Sequence, residues 1–158
     1  MSAEKSAPST PSENQADTSR IAIVASRYNA KFTDALVESA NETLSKLLPS
    51  AVIETHRVPG AFEIPVVVEA LCQKKVADAV IALGVIIRGS TAHADLIAES
   101  ITHSLHASSR AHLIPVIHEV LLVANAEQAE ARSLGDELNR GREAAEAAVE
   151  MLGVMRNL

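Results

Sequence analysis

Gly89-Ser90-Thr91 follows the most apolar run of the chain, Ala79 to Ile87, and precedes a helical pattern. A strand-to-helix junction offers free backbone N–H groups and the positive end of a helix dipole, which favour phosphate. An ordinary turn closed by a Ser or Thr cap would read the same way. His93 lies one turn into that helix, and an imidazole titrates near neutrality, as a proton shuttle must. A histidine on an apolar stripe is more often a satisfied core residue, but a candidate phosphate site beside it shifts the balance toward proton transfer.

Glu63 follows Pro59-Gly60-Ala61-Phe62 at a second strand-to-helix turn. Its carboxylate suits a polyhydroxy ligand, and equally suits a helix dipole that it merely complements. Arg132 and Arg140 flank the start of the last helix and are available to an anion, although a surface arginine is usually a solvated charge. His103 and His106 stand at i and i+3, a spacing that can bind metal, but no third ligand lies nearby, so a solvated helix face is the better reading. His56 and His112 have no evident role. Neither GxGxxG nor GxxxxGK[ST] occurs, so the usual glycine-rich nucleotide loops are not supported.

The 158 residues suffice for one domain with a tail. Hydrophobic residues make up 47% and aromatics only 2%, so the core must be built from Ala, Val, Ile and Leu. Such small side chains let helices lie close against a sheet. A net charge of −6 argues against a nucleic-acid partner, which requires a basic face. The single cysteine, Cys72, rules out an internal disulfide framework and reads as a small buried hydrophobe in a helix. No apolar run approaches the roughly 18 residues of a membrane span. Residues 1–19 are rich in Ser, Pro, Glu and Thr and read as a disordered, solvated tail without signal or transit character. Residues 20–158 then form one domain, and a cytoplasmic location is expected.

The elements that must position these residues alternate. Ile21 to Ala25 is a continuous apolar run, expected of a strand covered on both faces. Thr33 or Asp34 opens a helix with Leu36, Ala40, Leu44 and Leu47 on its buried side, ended by Pro49. Ala51 to Thr55 is a second strand, and a short helix starts near Glu63 with Pro65 in its first turn. Ala79 to Ile87 is the strongest strand. The helix after Ser90 buries Ile97, Ile101 and Leu105, with His93 on the same line. A fourth strand runs from after Pro115 to about Val123. Asn125 then caps a helix, with Gln128 placed as in a capping box. A last, Ala-rich helix covers about Gly141 to Leu152. This alternation predicts a parallel sheet with helices on both faces. Ligands of such sheets collect beyond the carboxyl ends of the strands, which selects the loops Ser26–Asn29, Val58–Glu63, Ile86–His93 and His118–Asn125.

Four blocks in that order resemble the signature blocks of lumazine synthases. They are Ala25-Ser26-Arg27-Tyr28-Asn29; Val58-Pro59-Gly60-Ala61-Phe62-Glu63-Ile64-Pro65; Ala82 to Thr91, reading Ala-Leu-Gly-Val-Ile-Ile-Arg-Gly-Ser-Thr; and Asn139-Arg140-Gly141 with Glu143-Ala144-Ala145. The likeness spans about residues 21–152, and the second and third blocks together are highly specific. It implies an α/β, flavodoxin-like three-layer sandwich with a four-stranded parallel sheet, and a homopentamer with active sites at its subunit interfaces. It also implies a transferase of riboflavin biosynthesis. 5-Amino-6-(D-ribitylamino)uracil and 3,4-dihydroxy-2-butanone 4-phosphate would condense to 6,7-dimethyl-8-ribityllumazine, releasing water and orthophosphate. Neither metal nor organic cofactor is expected, and no nucleic-acid or membrane partner.

By the same resemblance, Tyr28 stacks on the pyrimidine, where the family usually has Phe. Asn29, Ala61, Phe62 and Glu63, with Val85, Ile86 and Ile87, line the pyrimidine and ribityl side. Gly89, Ser90 and Thr91 hold the phosphate with Arg132 of a neighbouring subunit, and His93 shuttles protons. Arg140 keeps the charge of a usual lysine with a different shape. The chain departs from the family pattern at Ala92 and Ala94, where Pro and Phe are common around the catalytic histidine. It departs again at His118-Glu119, where a Phe-Gly pair is usual, and at Leu122, where threonine is common. His118 in the place of that Phe would cover the neighbour's pyrimidine and add a titratable group. The competing readings are a shell-forming or ligand-storing homologue without synthase activity, and an unrelated flavodoxin-like phosphate-binding enzyme. With no obvious insertion between Arg132 and Gly141, a 60-subunit shell is slightly favoured over a free pentamer.

Overall fold

A computed structural model describes residues 18–158. Strand β1 (Arg20–Ser26) leads to helix α1 (Ala30–Leu47), and β2 (Val52–Val58) is followed by a 3-10 turn (Ala61–Glu63) and α2 (Ile64–Lys74). Then come β3 (Ala79–Ile87), α3 (His93–His112), β4 (Val116–Val123), α4 (Ala126–Ser133) and α5 (Arg140–Arg156). The four strands form one parallel sheet in the order β2-β1-β3-β4. Helices α1, α4 and α5 cover one face, and α2 and α3 the other. The fold is the expected α/β three-layer, flavodoxin-like sandwich. No helix among the described residues is long and apolar enough to cross a membrane.

β1 and β3 are central, so both faces of each are buried. Side chains alternate in direction along a strand. Ile21, Ile23, Ile81 and Leu83 therefore enter one core, and Ala22, Val24, Val80 and Ala82 the other. Leu36, Ala40 and Leu44 of α1 and Ala144, Ala145, Ala148 and Leu152 of α5 complete the first; Ile64, Val68, Cys72, Ile101 and Leu105 complete the second. Alanines let α5 press against α1, and Gly141 is the closest point. A Cβ there would stand 2.4 Å from the Leu36 carbonyl oxygen, so only glycine fits. Cys72 is buried in α2 as expected, and burial raises its thiol pKa.

The structure corrects several boundaries. Helix α1 begins at Ala30 rather than Thr33 or Asp34, because Asn29 turns the chain in one left-handed step; Phe32 and Thr33 are already buried. Leu47, expected inside, is 47% exposed as the last residue of α1. β2 runs three residues past Thr55, through His56 and Arg57. It is an edge strand, so its polar residues gave no apolar signal. α5 begins one residue earlier and ends four residues later than the expected Gly141 to Leu152. Asn125 caps α4 by accepting from the Gln128 N–H at 2.9 Å, while the Gln128 side chain accepts from Ala124 rather than from the cap residue. Of the tail expected over residues 1–19, only Thr18 and Ser19 lie within the described residues. Ser19 is buried, and its carbonyl accepts from the Val52 N–H at 2.9 Å.

Candidate active site

In a parallel sheet the backbone groups at the carboxyl ends of the strands diverge where the strand order reverses. Here β1 carries the chain outward to β2, then back across to β3, so the switch point lies between β1 and β3. A cleft of about 630 Å³ opens there, lined by Ser26, Tyr28, Asn29, Gly60 to Glu63, Val85 to Ile87, His93 and Ile97. Three separated loops of the sequence thus meet at one place.

Local bonds hold those loops. The turn after β1 stays registered on β2, with Arg27 N–H donating to the Val58 carbonyl at 2.7 Å and Tyr28 N–H to Pro59 at 3.0 Å. Arg57 braces its underside. Its guanidinium donates to the Ser26 carbonyl at 3.0 Å and pairs with Asp34 at 2.7 Å. Asn29 adopts φ 60°, ψ 45°, a left-handed conformation asparagine tolerates, and its side-chain amide donates to the Val85 carbonyl at 2.7 Å. The Glu63 carboxylate accepts from the Gly60 N–H at 2.9 Å, closing the turn before α2. Glu63 therefore closes its own turn by this hydrogen bond, standing just before α2 rather than in its first turn, and it also lines the cleft. Tyr28 and Phe62, 74% and 61% exposed, stand as two unshielded aromatic faces at its rim.

His93 is not on the buried line of α3. Ala94 takes that place ahead of Ile101 and Leu105, while His93 is exposed and looks into the cleft, with Ile97 only half-buried beneath it. Gly89, Ser90 and Thr91 are exposed in the connection from Ile87 to His93, both of which line the cleft. Across that connection Arg88 donates through Nε and Nη2 to Asp95 at 3.1 and 2.8 Å. The Asp95 hydrogen bonds and charge raise the Arg88 pKa above its ordinary value. The arrangement gathers two exposed aromatic faces, the polar side chains of Asn29 and Glu63, and His93 around one cleft, with an exposed loop before α3 at its edge.

Residues 18–156 match the family model of 6,7-dimethyl-8-ribityllumazine synthase. The chain belongs to the lumazine synthase family. A relative of that name from Xanthomonas oryzae pv. oryzae (strain PXO99A) is 41% identical over 142 residues, covering 89% of this chain and 92% of the relative. One from Stenotrophomonas maltophilia (strain R551-3) is 39% identical over 143 residues, covering 90% and 92%.

Three lumazine synthase site residues expected from the sequence lie away from this cleft. Arg132 sits in the last turn of α4, on the opposite face of the sheet, with Nη1 donating to its own helix at Gln128 O. Arg140, at the start of α5 on that same face, pairs with Glu143 at 2.9 Å. His118 lies on the α3 side of β4, in a separate hollow of about 370 Å³ with Thr102, His103 and His106. Both its ring nitrogens are engaged. Val120 N–H donates to Nδ1 at 3.1 Å, which leaves Nε2 carrying the proton and donating to Thr102 Oγ at 2.8 Å. Thr102 in turn donates to the Ala98 carbonyl at 2.9 Å. Burial lowers the His118 pKa. Glu119, on the other face of β4, has its pKa raised by burial, with Glu143 raising it further and Arg140 opposing.

Sequence reasoning passed over Ser26, Gly60 and Ile97 as individual lining residues, although two of them lay inside the selected loops. It also assigned nothing to His112. The structure joins His112 to Glu69 at 2.6 Å and Glu69 to Ser108 at 2.5 Å, a polar clasp between α2 and α3. These hydrogen bonds lower the Glu69 pKa. Residues separated by forty positions carry no sequence signal of such pairing.

Proposed function

We infer that this chain condenses 5-amino-6-(D-ribitylamino)uracil with 3,4-dihydroxy-2-butanone 4-phosphate to 6,7-dimethyl-8-ribityllumazine, releasing water and orthophosphate. The observation that carries this reading is the family match over residues 18–156, on a chain whose signature loops converge on one cleft. Tyr28 and Phe62 offer aromatic faces for the pyrimidine. Asn29, Glu63 and the backbone of Val85 to Ile87 suit its polar edge and the ribityl hydroxyls, with Ala61 closing the wall. Gly89, Ser90 and Thr91 supply N–H and hydroxyl groups to the phosphate at the start of α3. His93 stands between the two regions. From there it moves protons as the pyrimidine amine attacks the ketone, water and phosphate depart and the second ring closes. Holding two reactive partners in register supplies much of the remaining acceleration.

The same reading makes the working unit a ring. Arg132 is placed as the phosphate partner of a neighbouring copy, since its own cleft lies across the sheet. Exposed Tyr28, Phe62, Val66 and Leu96 give the surface beside the cleft an apolar character that a neighbour would cover. A homopentamer fits, with assembly into a 60-subunit shell as its extension. In this scheme Arg140 and His118, which lie outside their own chain's cleft, serve the adjoining copy's site. A cytoplasmic setting belongs to the same reading.

Mixing purified protein with both substrates and following lumazine absorbance and fluorescence tests the reaction. Formation no faster than in buffer would defeat it and leave a homologue that binds without synthesis. Sedimentation velocity tests the assembly: a particle of pentamer mass alone would remove the shell.

A further inference from the structure

The connection that would carry the phosphate has little to hold it. Ala92, at the cap position of α3, has no side chain to cap the helix, and the Thr91 hydroxyl meets the His93 N–H only at 3.4 Å. Arg88 is firmly placed, its N–H donating to the Val123 carbonyl at 2.8 Å and extending the β3–β4 ladder by one rung. Asp95 is equally placed, in the first turn of α3. The two side chains meet over the loop between them, with two guanidinium donors on one carboxylate oxygen, Oδ1.

That contact has an electrostatic consequence. A carboxylate in the first turn complements the helix dipole, but it also opposes any second anion at the same N-terminus. Unpaired, Asp95 would repel a phosphate at Gly89 to Thr91. Paired, its charge is matched within hydrogen-bond distance, and the N–H groups of the loop are left to the ligand.

We propose that Arg88 is a positioning residue for the phosphate-bearing substrate: by pairing with Asp95 across the Gly89 to Ala92 loop it cancels the charge that would repel the phosphate. This rests on the lumazine synthase reading above. It assigns Arg88 no contact with the reacting atoms.

The test uses the assembled wild type, Arg88→Ala, Arg88→Lys, Asp95→Asn and the Arg88→Ala/Asp95→Asn double variant. Steady-state KM is measured for each substrate, and inorganic phosphate binding by calorimetry. Arg88→Ala should raise the butanone phosphate KM and the phosphate Kd by roughly three- to tenfold, leaving the pyrimidine KM within about twofold. Asp95→Asn alone should change phosphate affinity little, and adding it to Arg88→Ala should recover most of the loss. Arg88→Lys, which keeps the charge but not the two-donor contact, should fall between. Equal rises in both KM values, or a double variant as poor as Arg88→Ala, would mean a merely structural brace and overturn the proposal. A wild type that forms no lumazine would instead defeat the functional reading, and the calorimetric comparison would still decide the role of Arg88.

Discussion

The side-chain amide of Asn29 donates to the carbonyl of Val85 over 2.7 Å, tying the turn after β1 to the end of β3 across the switch point of the sheet. Two demands meet in that residue. The chain must reverse into α1 through φ 60°, where Cβ-bearing residues are strained and asparagine least so. The cleft must also keep its width, which depends on the separation of the β1 and β3 loops. Asparagine answers both.

Asn29→Ala should therefore lower stability by about 2–4 kcal/mol, adding left-handed strain to an unsatisfied half-buried carbonyl. Asn29→Gly removes only the hydrogen bond and should cost clearly less. Thermal melts of both variants in the assembled protein check this. Equal losses for the two would show that the backbone conformation at this position carries no strain.

The order of these elements was readable because apolar runs separate cleanly from turn residues, and the family blocks marked three of the cleft's walls. What was not readable is equally specific. β2 carries Glu54, His56 and Arg57 because it is an edge strand, so no alternation announced its end. Arg57 braces Ser26, and Glu69 clasps Ser108 and His112, through contacts made only when distant helices and strands pack. His93 has the spacing of a core residue, yet Ala94 takes the buried place in the first turn of α3 and leaves His93 exposed at the cleft. Arg132 lies in its own chain far from the cleft, which periodicity in one sequence cannot reveal.

His118 and Glu119 should give opposite pH dependences from adjacent positions of β4. Burial lowers the His118 pKa, so between that native value and the ordinary histidine value near 6.5 the unfolded chain binds the extra proton. Stability from this residue is then complete above about pH 6.5 and declines as pH falls through the window. Burial raises the Glu119 pKa, so its contribution is complete at the acid end and declines as pH rises through the native value. Melting temperatures from pH 4 to pH 8 should show the acid-side decline flattened in His118→Phe, and Glu119→Gln gaining stability only toward neutral pH. An unaltered pH profile in His118→Phe would mean that its neutral, doubly bonded ring does not govern that window.

His93→Ala should reduce turnover by about 10²-fold, near the low end of general acid–base effects, with binding of an inert pyrimidine analogue almost unchanged. The exposed position of His93 means that truncation opens no core cavity, so melting temperature and assembly should stay near those of the wild type. Full activity in the assembled variant would remove His93 from the proton transfers and leave the phosphate loop and Arg132 to account for catalysis.

Arg132 permits a sharper test, because its proposed partner is in another copy. Arg132→Ala should raise the KM for the butanone phosphate far more than that for the pyrimidine, in keeping with a charge-assisted contact of about 1.5–3 kcal/mol. If the site joins His93 of one subunit to Arg132 of the next, the His93→Ala and Arg132→Ala proteins, assayed at butanone phosphate far below the raised KM of Arg132→Ala, carry complementary defects. Unfolding the two together and reassembling them at equal ratio gives mixed rings in which about a quarter of the interfaces hold two intact residues, since each side is drawn independently from the two pools. Activity should then recover to roughly a quarter of wild type, and neither variant reassembled alone should recover. Were His93 and Arg132 to act within one subunit, no mixed ring would contain a complete site, and mixing would restore nothing.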